Sequence, residues 1–224
     1  MGMGEELDRE LLDEQIAYYR ARASEYDRTS AIDGDPFAAD AELVRAALRD
    51  FAPRGRILEL AAGTGQWTTE LAPHAEQLRA VDASSEMLER NAARVGDPRV
   101  EYAVADVFSL PEDPIWDVVF FGFFLSHVPV SRFASFWETV RAQLAPAGRV
   151  FFVDEGRHDG WREDWIDEEA GVVRRTLADG SVHHAVKVLW PPSELEHRLE
   201  ELGWRARVAA SGPFYWGTAT PLVP

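Results

Sequence analysis

The chain has no cysteine in its 224 residues, which removes disulfides, thiolate zinc sites, iron–sulfur clusters and cysteine nucleophiles at once. Lysine is almost missing as well: Lys187 stands alone among 23 basic residues, against 39 acidic ones, for a formal net charge of -16 and a pI near 4.7. A field of that sign repels phosphate backbones and anionic membrane surfaces, so neither nucleic acid nor membrane is expected as a partner. No apolar run approaches the roughly 20 residues that span a bilayer, and the acidic start is unlike the basic opening of a signal peptide, so a cytoplasmic location is expected. What is there is 46% hydrophobic content, in a chain long enough to bury about 70% of its unfolded surface around one core. A single domain with a small-molecule partner is the expectation.

Apolar strands alternate with amphipathic helices, the mark of an α/β fold on a mainly parallel sheet. Strands are expected at 56–61, 77–82, 99–104, 116–122 and 148–153, with helices at 66–72, 85–94 and 131–144. Two last strands, 204–210 and 213–219, are parted only by Ser211-Gly212-Pro213, too short for a parallel crossover, so they should pair antiparallel. Ahead of the core, helices at 6–27 and 36–50 flank the turn-rich Ile32-Asp33-Gly34-Asp35-Pro36. Between the fifth strand and the final helix lies an extra segment, 156–190. Its pieces Val172 to Thr176 and Val182 to Leu189 flank Ala178-Asp179-Gly180-Ser181 and read as an accessory β-hairpin.

The richest stretch is Ile57-Leu58-Glu59-Leu60-Ala61-Ala62-Gly63-Thr64-Gly65-Gln66-Trp67, a buried strand ending on a carboxylate, then a tight turn of small residues into a helix. Gly63 and Gly65 let the backbone take positive φ and approach a ligand, while Glu59 offers an acceptor at the strand's carboxyl end. About 20 residues on, Val81-Asp82-Ala83-Ser84 places a second carboxylate where both hydroxyls of a ribose would lie. The third strand ends on Asp106, able to accept from an exocyclic adenine amine, and Met87 can cover the ring with a polarisable side chain. Singly, each acid has an ordinary alternative as a helix cap or a solvated loop residue. Their joint placement at the ends of the first three strands outlines an adenosine site.

With these motifs the chain resembles the class I S-adenosylmethionine-dependent methyltransferases, in their small-molecule branch. The resemblance covers about 55–155 by motif and extends to the end through the reversed C-terminal hairpin. It implies a Rossmann-like, seven-stranded, mainly parallel sheet with an antiparallel C-terminal strand and helices on both faces. The whole of 1–224 would be one domain: a helical lid at 1–50, the cofactor-binding core at 55–155, the accessory hairpin at 156–190, and the final helix and hairpin at 191–224. Carried over residue by residue, Glu59, Ala61, Gly63, Thr64 and Gly65 would hold the methionine part, and Asp82 with Ala83 the ribose. Met87, Ala105, Asp106 and Val107 would hold adenine, and Gly122 with Phe123 would pass beside the sulfonium. The group usually has glycine where Ala61 stands, which makes close backbone approach slightly less free. Tyr19 and Tyr26, on the helix face Leu12, Ile16, Tyr19, Ala23, Tyr26, would contact the methionine end, with Arg22 facing its carboxylate or an acidic substrate.

Methyl transfer needs in-line positioning and a base only when the acceptor carries a proton. His127, in Phe123-Phe124-Leu125-Ser126-His127-Val128-Pro129 after the fourth strand, is the candidate base; no metal is expected. Phe120, Phe121, Phe123, Phe124, Trp161, Trp165 and Trp190 suggest an apolar acceptor pocket. The expected activity is methylation, at oxygen or nitrogen, of a small aromatic or lipophilic acceptor in secondary metabolism, with S-adenosylhomocysteine as product, by a monomer or homodimer. A nicotinamide dehydrogenase is disfavoured because Thr68 stands where its glycine turn needs a third glycine and no tyrosine–lysine couple exists. A non-catalytic cofactor-binding sensor or scaffold is the alternative from another class.

Overall fold

In the computed structural model, which describes residues 3–24, 26, 37–113, 115–158 and 162–222, hydrophobic alternation sorts the strands into one sheet with two covered faces. Its strands are β1 (Gly55–Leu60), β2 (Ala75–Asp82), β3 (Val100–Val104), β4 (Trp116–Gly122) and β5 (Leu144–Glu155), completed near the chain's end by β9 (Trp204–Ser211) and β10 (Phe214–Pro221). The order is β3-β2-β1-β4-β5-β10-β9. Strands β1 to β5 pair in parallel, and β10 runs antiparallel to both β5 and β9. The chain winds outward in one direction through β1, β2 and β3, then returns to place β4 on the other side of β1. Such a reversal opens a crevice at the carboxyl ends of the strands.

Successive side chains point to opposite faces, so Val118 and Phe120 of β4 enter one core layer while Val119 and Phe121 enter the other. The first layer packs under α2 (Ala38–Phe51), α3 (Gln66–Leu71) and α4 (Ser85–Val95) through Val44, Leu48, Trp67, Leu71 and Leu88. The second packs under α5 (Phe133–Gln143) and α6 (Pro192–Glu201) through Phe136, Trp137, Val140, Leu195 and Leu199. Phe121 and Phe152 stack at 5.6 Å between centroids, and Trp137 meets Trp204 edge-on at 5.0 Å. The second layer is thus dense in aromatic contacts.

The seven expected strands and three core helices are present, with shifted ends. The expected helix at 6–27 is α1 (Met3–Arg22), that at 36–50 is α2, and the turn Ile32 to Pro36 lies outside the described residues. The accessory hairpin is a three-stranded sheet: β6 (Trp165–Asp167) joins β7 (Val172–Thr176) and β8 (Val182–Val186). Three residues are too few to show alternation, which is why β6 was invisible in sequence. Strand β8 stops at Val186 rather than continuing to Leu189 because the chain turns back to the core, where the Val188 amide donates to the Ser126 carbonyl at 2.7 Å.

Candidate active site

The turn after β1 is held from inside the fold. Glu59 is 1% exposed and accepts a hydrogen bond from the Thr68 hydroxyl at 2.6 Å. Asn91 in turn donates to Thr68 Oγ1 at 2.7 Å and reaches the carbonyls of Ala62 and Gly63, so α3, α4 and the turn share one network. Burial pushes the Glu59 carboxyl up to about 8, and repulsion by Asp82 adds to this against the Thr68 hydrogen bond. Gly65 has φ +90, and a Cβ there would lie 2.7 Å from Asn91 Oδ1. Ala61 carries φ +52, a left-handed conformation costing an L-residue about 1–2 kcal/mol. The glycine turn therefore tolerates one strained alanine.

Asp82 is bound on both oxygens by backbone: Gly63 N–H to Oδ2 and Ser84 N–H to Oδ1, each 2.9 Å. These bonds, with those from Ala83 and the charge of Arg20, oppose the burial that raises its pKa. Each carboxylate oxygen keeps a further acceptor site, and α4 is capped independently by Ser84, whose hydroxyl accepts from Met87 N–H. Asp82 is thus spared for a ligand. Asp106 is exposed, accepts from Phe108 N–H at 3.0 Å and caps the short turn Val107–Ser109.

Two cavities meet at the sheet edge. One, of about 230 Å³, is lined by Asp82, Ala83, Met87, Asp106 and Val107 together with Leu12 and Ile16 of α1. The other, of about 370 Å³, is lined by Glu59, Thr64, Trp67, Arg22, Arg175 and Lys187 among others. Tyr19, Tyr26, Ala61, Gly63, Gly122, Phe123 and His127 line both. Gly65 and Ala105 line neither; Gly65 shapes the turn, and the Ala105 amide ties the third strand's end to the Asp82 carbonyl at 3.0 Å. Phe123 itself has φ +55, a second strained non-glycine residue at this junction.

The aromatic expectation divides. Phe123 lines both cavities and Phe124 the smaller one, whereas Phe120, Phe121 and Trp190 are core, with at most 3% exposure. Phe120 and Phe121 lie on β4 between the layers, and Trp190, just ahead of α6, packs on Phe133 at 4.9 Å between centroids. Trp165 lies in β6 and lines neither cavity, and Trp161 is outside the described residues.

His127 is 7% exposed. Its Nδ1 lies 2.7 Å from the Val186 carbonyl and its Nε2 2.8 Å from the Tyr19 hydroxyl. Burial first, then Lys187, Arg175 and Arg22, holds the imidazole pKa well below its usual value. Lys187, 3% exposed, donates to Glu155 at 2.7 Å and to Ser126 Oγ at 3.3 Å. Arg175 is paired with Glu163, and Arg22 lies over the Tyr26 ring at 4.9 Å. Arg175, Lys187, Glu155 and Glu163 were not singled out from sequence. Their one signal was that the chain's sole lysine falls in the accessory segment.

A crevice at the strands' carboxyl ends, with carboxylates at those ends and a glycine turn, is the site layout of a nucleotide-binding α/β enzyme. A family model described as a methyltransferase domain matches residues 57–148. The structure of a DhpI–SAH complex is 42% identical with a TM-score of 0.83, covering 96% of this chain and 98% of that one. A DhpI–SAM–HEP complex gives 43% and 0.83, over 94% and 98%. Demethylmenaquinone methyltransferase of Clavibacter sepedonicus is 41% identical over 97 residues, 42% of this chain and 39% of that protein. The chain spans about two fifths to half the length of the curated relatives it matches, the second being nodulation protein S of Rhizobium tropici, at 52%. The chain belongs to the class I S-adenosylmethionine-dependent methyltransferases. Its cofactor is S-adenosylmethionine.

Proposed function

We propose that the enzyme methylates an oxygen of a small acceptor bearing a compact oxyanion. The observation that carries this reading is the larger cavity, where Arg22, Arg175 and Lys187 converge, Arg175 paired with Glu163 and Lys187 with Glu155, in a chain of net charge -16. Two neighbours register the positive field: it helps to keep His127 neutral, and it holds Glu155 below its ordinary value although burial pushes that carboxyl up. Arg22 suits the cofactor's own carboxylate, which leaves Arg175 and Lys187 facing the acceptor side. Aromatic walls from Tyr18, Phe37, Trp67 and Phe214 suit an apolar remainder of the acceptor. The lipophilic expectation is thereby narrowed to an amphiphilic molecule.

In the bound state Asp82 would accept from the ribose hydroxyls, Met87, Asp106 and Val107 would hold adenine, and Glu59 and the Ala61–Gly65 turn would receive the amine-bearing tail. Bound there, S-adenosylmethionine would supply an electrophilic methyl carbon, with the sulfur of S-adenosylhomocysteine as leaving group. The residues' task is then to align an oxygen already ionised at neutral pH, so no proton is removed. Helix α1 we read as a lid, tied to the ribose end by the Arg20 hydrogen bond to the Ala83 carbonyl at 3.0 Å. A cofactor-binding scaffold would have no use for a second cavity opening onto the first. We place the acceptor in secondary metabolism and the enzyme as monomer or homodimer.

The test is turnover on paired acceptors, each small carboxylate or phosphorus oxyacid set beside its neutral amide or ester. Methylation of acids and not of neutral partners is expected. Equal turnover of neutral aromatic alcohols, unaffected by Lys187→Met, would overturn the oxyanion assignment.

A further inference from the structure

His127 stands at the junction of the two cavities, and its hydrogen bonds fix more than its own position. The Val186 carbonyl can only accept, so at 2.7 Å the proton of the neutral ring lies on Nδ1. Nε2 then carries a lone pair, and at 2.8 Å the Tyr19 hydroxyl must be the donor. Burial, Lys187, Arg175 and Arg22 all disfavour a second proton on the ring. Gln15 braces the same arrangement: its amide donates to the His127 carbonyl at 3.2 Å and accepts from Val186 N–H at 2.9 Å. A chain of contacts thus runs from β8 of the accessory sheet through His127 to α1.

Tyr19 lines both cavities. A tyrosine hydroxyl free to rotate there would donate to an oxyanion brought in by Arg175 and Lys187. Such a bond would draw charge off the attacking oxygen and weaken it as a nucleophile, and charge-assisted bonds of this kind are among the stronger ones. With its only proton committed to His127, Tyr19 presents lone pairs alone to the junction. These repel a misplaced oxyanion and can accept the weak C–H contacts of a methyl bearing positive charge.

We propose that His127 is a positioning residue that withdraws the Tyr19 hydroxyl proton from the reacting side, so that Tyr19 meets the transferring methyl as an acceptor only. This rests on the oxyanion reading above, since a protonated acceptor would instead need a base. The imidazole serves by staying neutral with one fixed tautomer.

The first test needs no turnover. Nitrogen-15 NMR of histidine-labelled enzyme with S-adenosylhomocysteine bound should show His127 protonated on Nδ1 and bare on Nε2 throughout the neutral range. An Nε2–H tautomer or a charged ring at neutral pH overturns the proposal. The second uses three variants on an acid that the wild type methylates. His127→Phe should lower kcat about tenfold, equivalent to roughly 1.4 kcal/mol of barrier, with little change in cofactor affinity or acceptor KM. His127→Gln, whose Oε1 takes the place of Nε2, should recover most of that loss and leave the pH profile of kcat at saturating cofactor as in the wild type. Adding Tyr19→Phe to His127→Phe should restore part of the rate, because the freed proton is then gone. Gln as poor as Phe, or a double variant slower than either single, overturns the proposal. Absence of any oxyanion methylation by the wild type would fault the acceptor assignment while leaving the tautomer measurement to decide the couple.

Discussion

The two cavities are made in different ways. The cofactor half is built by backbone: three strand ends, one tight turn, and carboxylates at or next to those strand ends, such as Asp82 braced by Gly63 and Ser84. The half we assign to the acceptor is built by side chains from distant segments, with His127 bonded to Tyr19 and Val186, and Lys187 to Glu155 and Ser126. A site made by a local turn needs only the sheet to form. One made by converging side chains also needs α1 and the accessory sheet in place, so the half we assign to the acceptor is where we expect specificity to be set. The two halves should therefore fail separately.

The largest separable effect is expected at Asp82. Replacing it with alanine removes the acceptor for the ribose hydroxyls and frees two backbone amides, and should weaken S-adenosylhomocysteine binding by roughly 1 to 3 kcal/mol. Calorimetry measures this directly, with acceptor KM at saturating cofactor little moved. Unchanged affinity would remove Asp82 from the cofactor half.

The matching test of the acceptor half replaces Arg175. Its partner Glu163 has a side chain only 7% exposed, so removing the arginine alone would strand a buried charge. The pair Arg175→Met with Glu163→Gln removes both charges together. Acceptor KM for an oxyanion should rise about tenfold, the size of one charge-assisted hydrogen bond, while cofactor affinity is unchanged. A parallel fall in cofactor affinity would show that the halves are not independent.

A smaller effect follows from pH. Glu59 holds its proton up to about 8 against an ordinary value of 4.5, so between these values the native protein binds a proton that the unfolded chain has released. Stability should then fall as pH rises across that window. Cofactor binding should move the other way, because the amine of the methionine tail favours ionised Glu59. Affinity should rise about fivefold from pH 7 to 8, with proton release visible when calorimetry is repeated in buffers of different ionisation enthalpy. Glu59→Gln should abolish the dependence, and a dependence that survives it belongs to another group.

Legibility in the sequence follows the same division. Glu59, Gly63 and Asp82 were readable because alternation places strand ends and a turn's residues lie side by side in the chain. Periodicity likewise marked the strands, and the three-residue link Ser211-Gly212-Pro213 marked the reversal of the last one. Arg175 and Lys187 were not readable, since a short hairpin's direction over the sheet edge depends on where the chain rejoins the core near Ser126. The pairing of His127 with Tyr19 joins residues 108 apart in sequence, and no local pattern signals it. Phe120 and Phe121 misled for the opposite reason: an aromatic pair near a strand's end fits a pocket or a core equally, and only the packing of α5 over Phe121 and α3 over Phe120 decides.

The smallest effect tests whether the cofactor turn's strain is functional. Ala61 sits at φ +52, where glycine would relieve about 1–2 kcal/mol of steric cost but lose about 0.5–1 kcal/mol through the extra freedom of the unfolded chain. Ala61→Gly should therefore stabilise the protein by at most about 1.5 kcal/mol, a rise in Tm of no more than about 6 °C for a chain of this size. If the alanine is merely tolerated, cofactor affinity should stay level or improve as the turn closes more freely on its ligand. A loss of affinity in the stabilised variant would mean that the strained methyl group holds the turn open in the shape the methionine tail requires, and that backbone alone does not make the cofactor half.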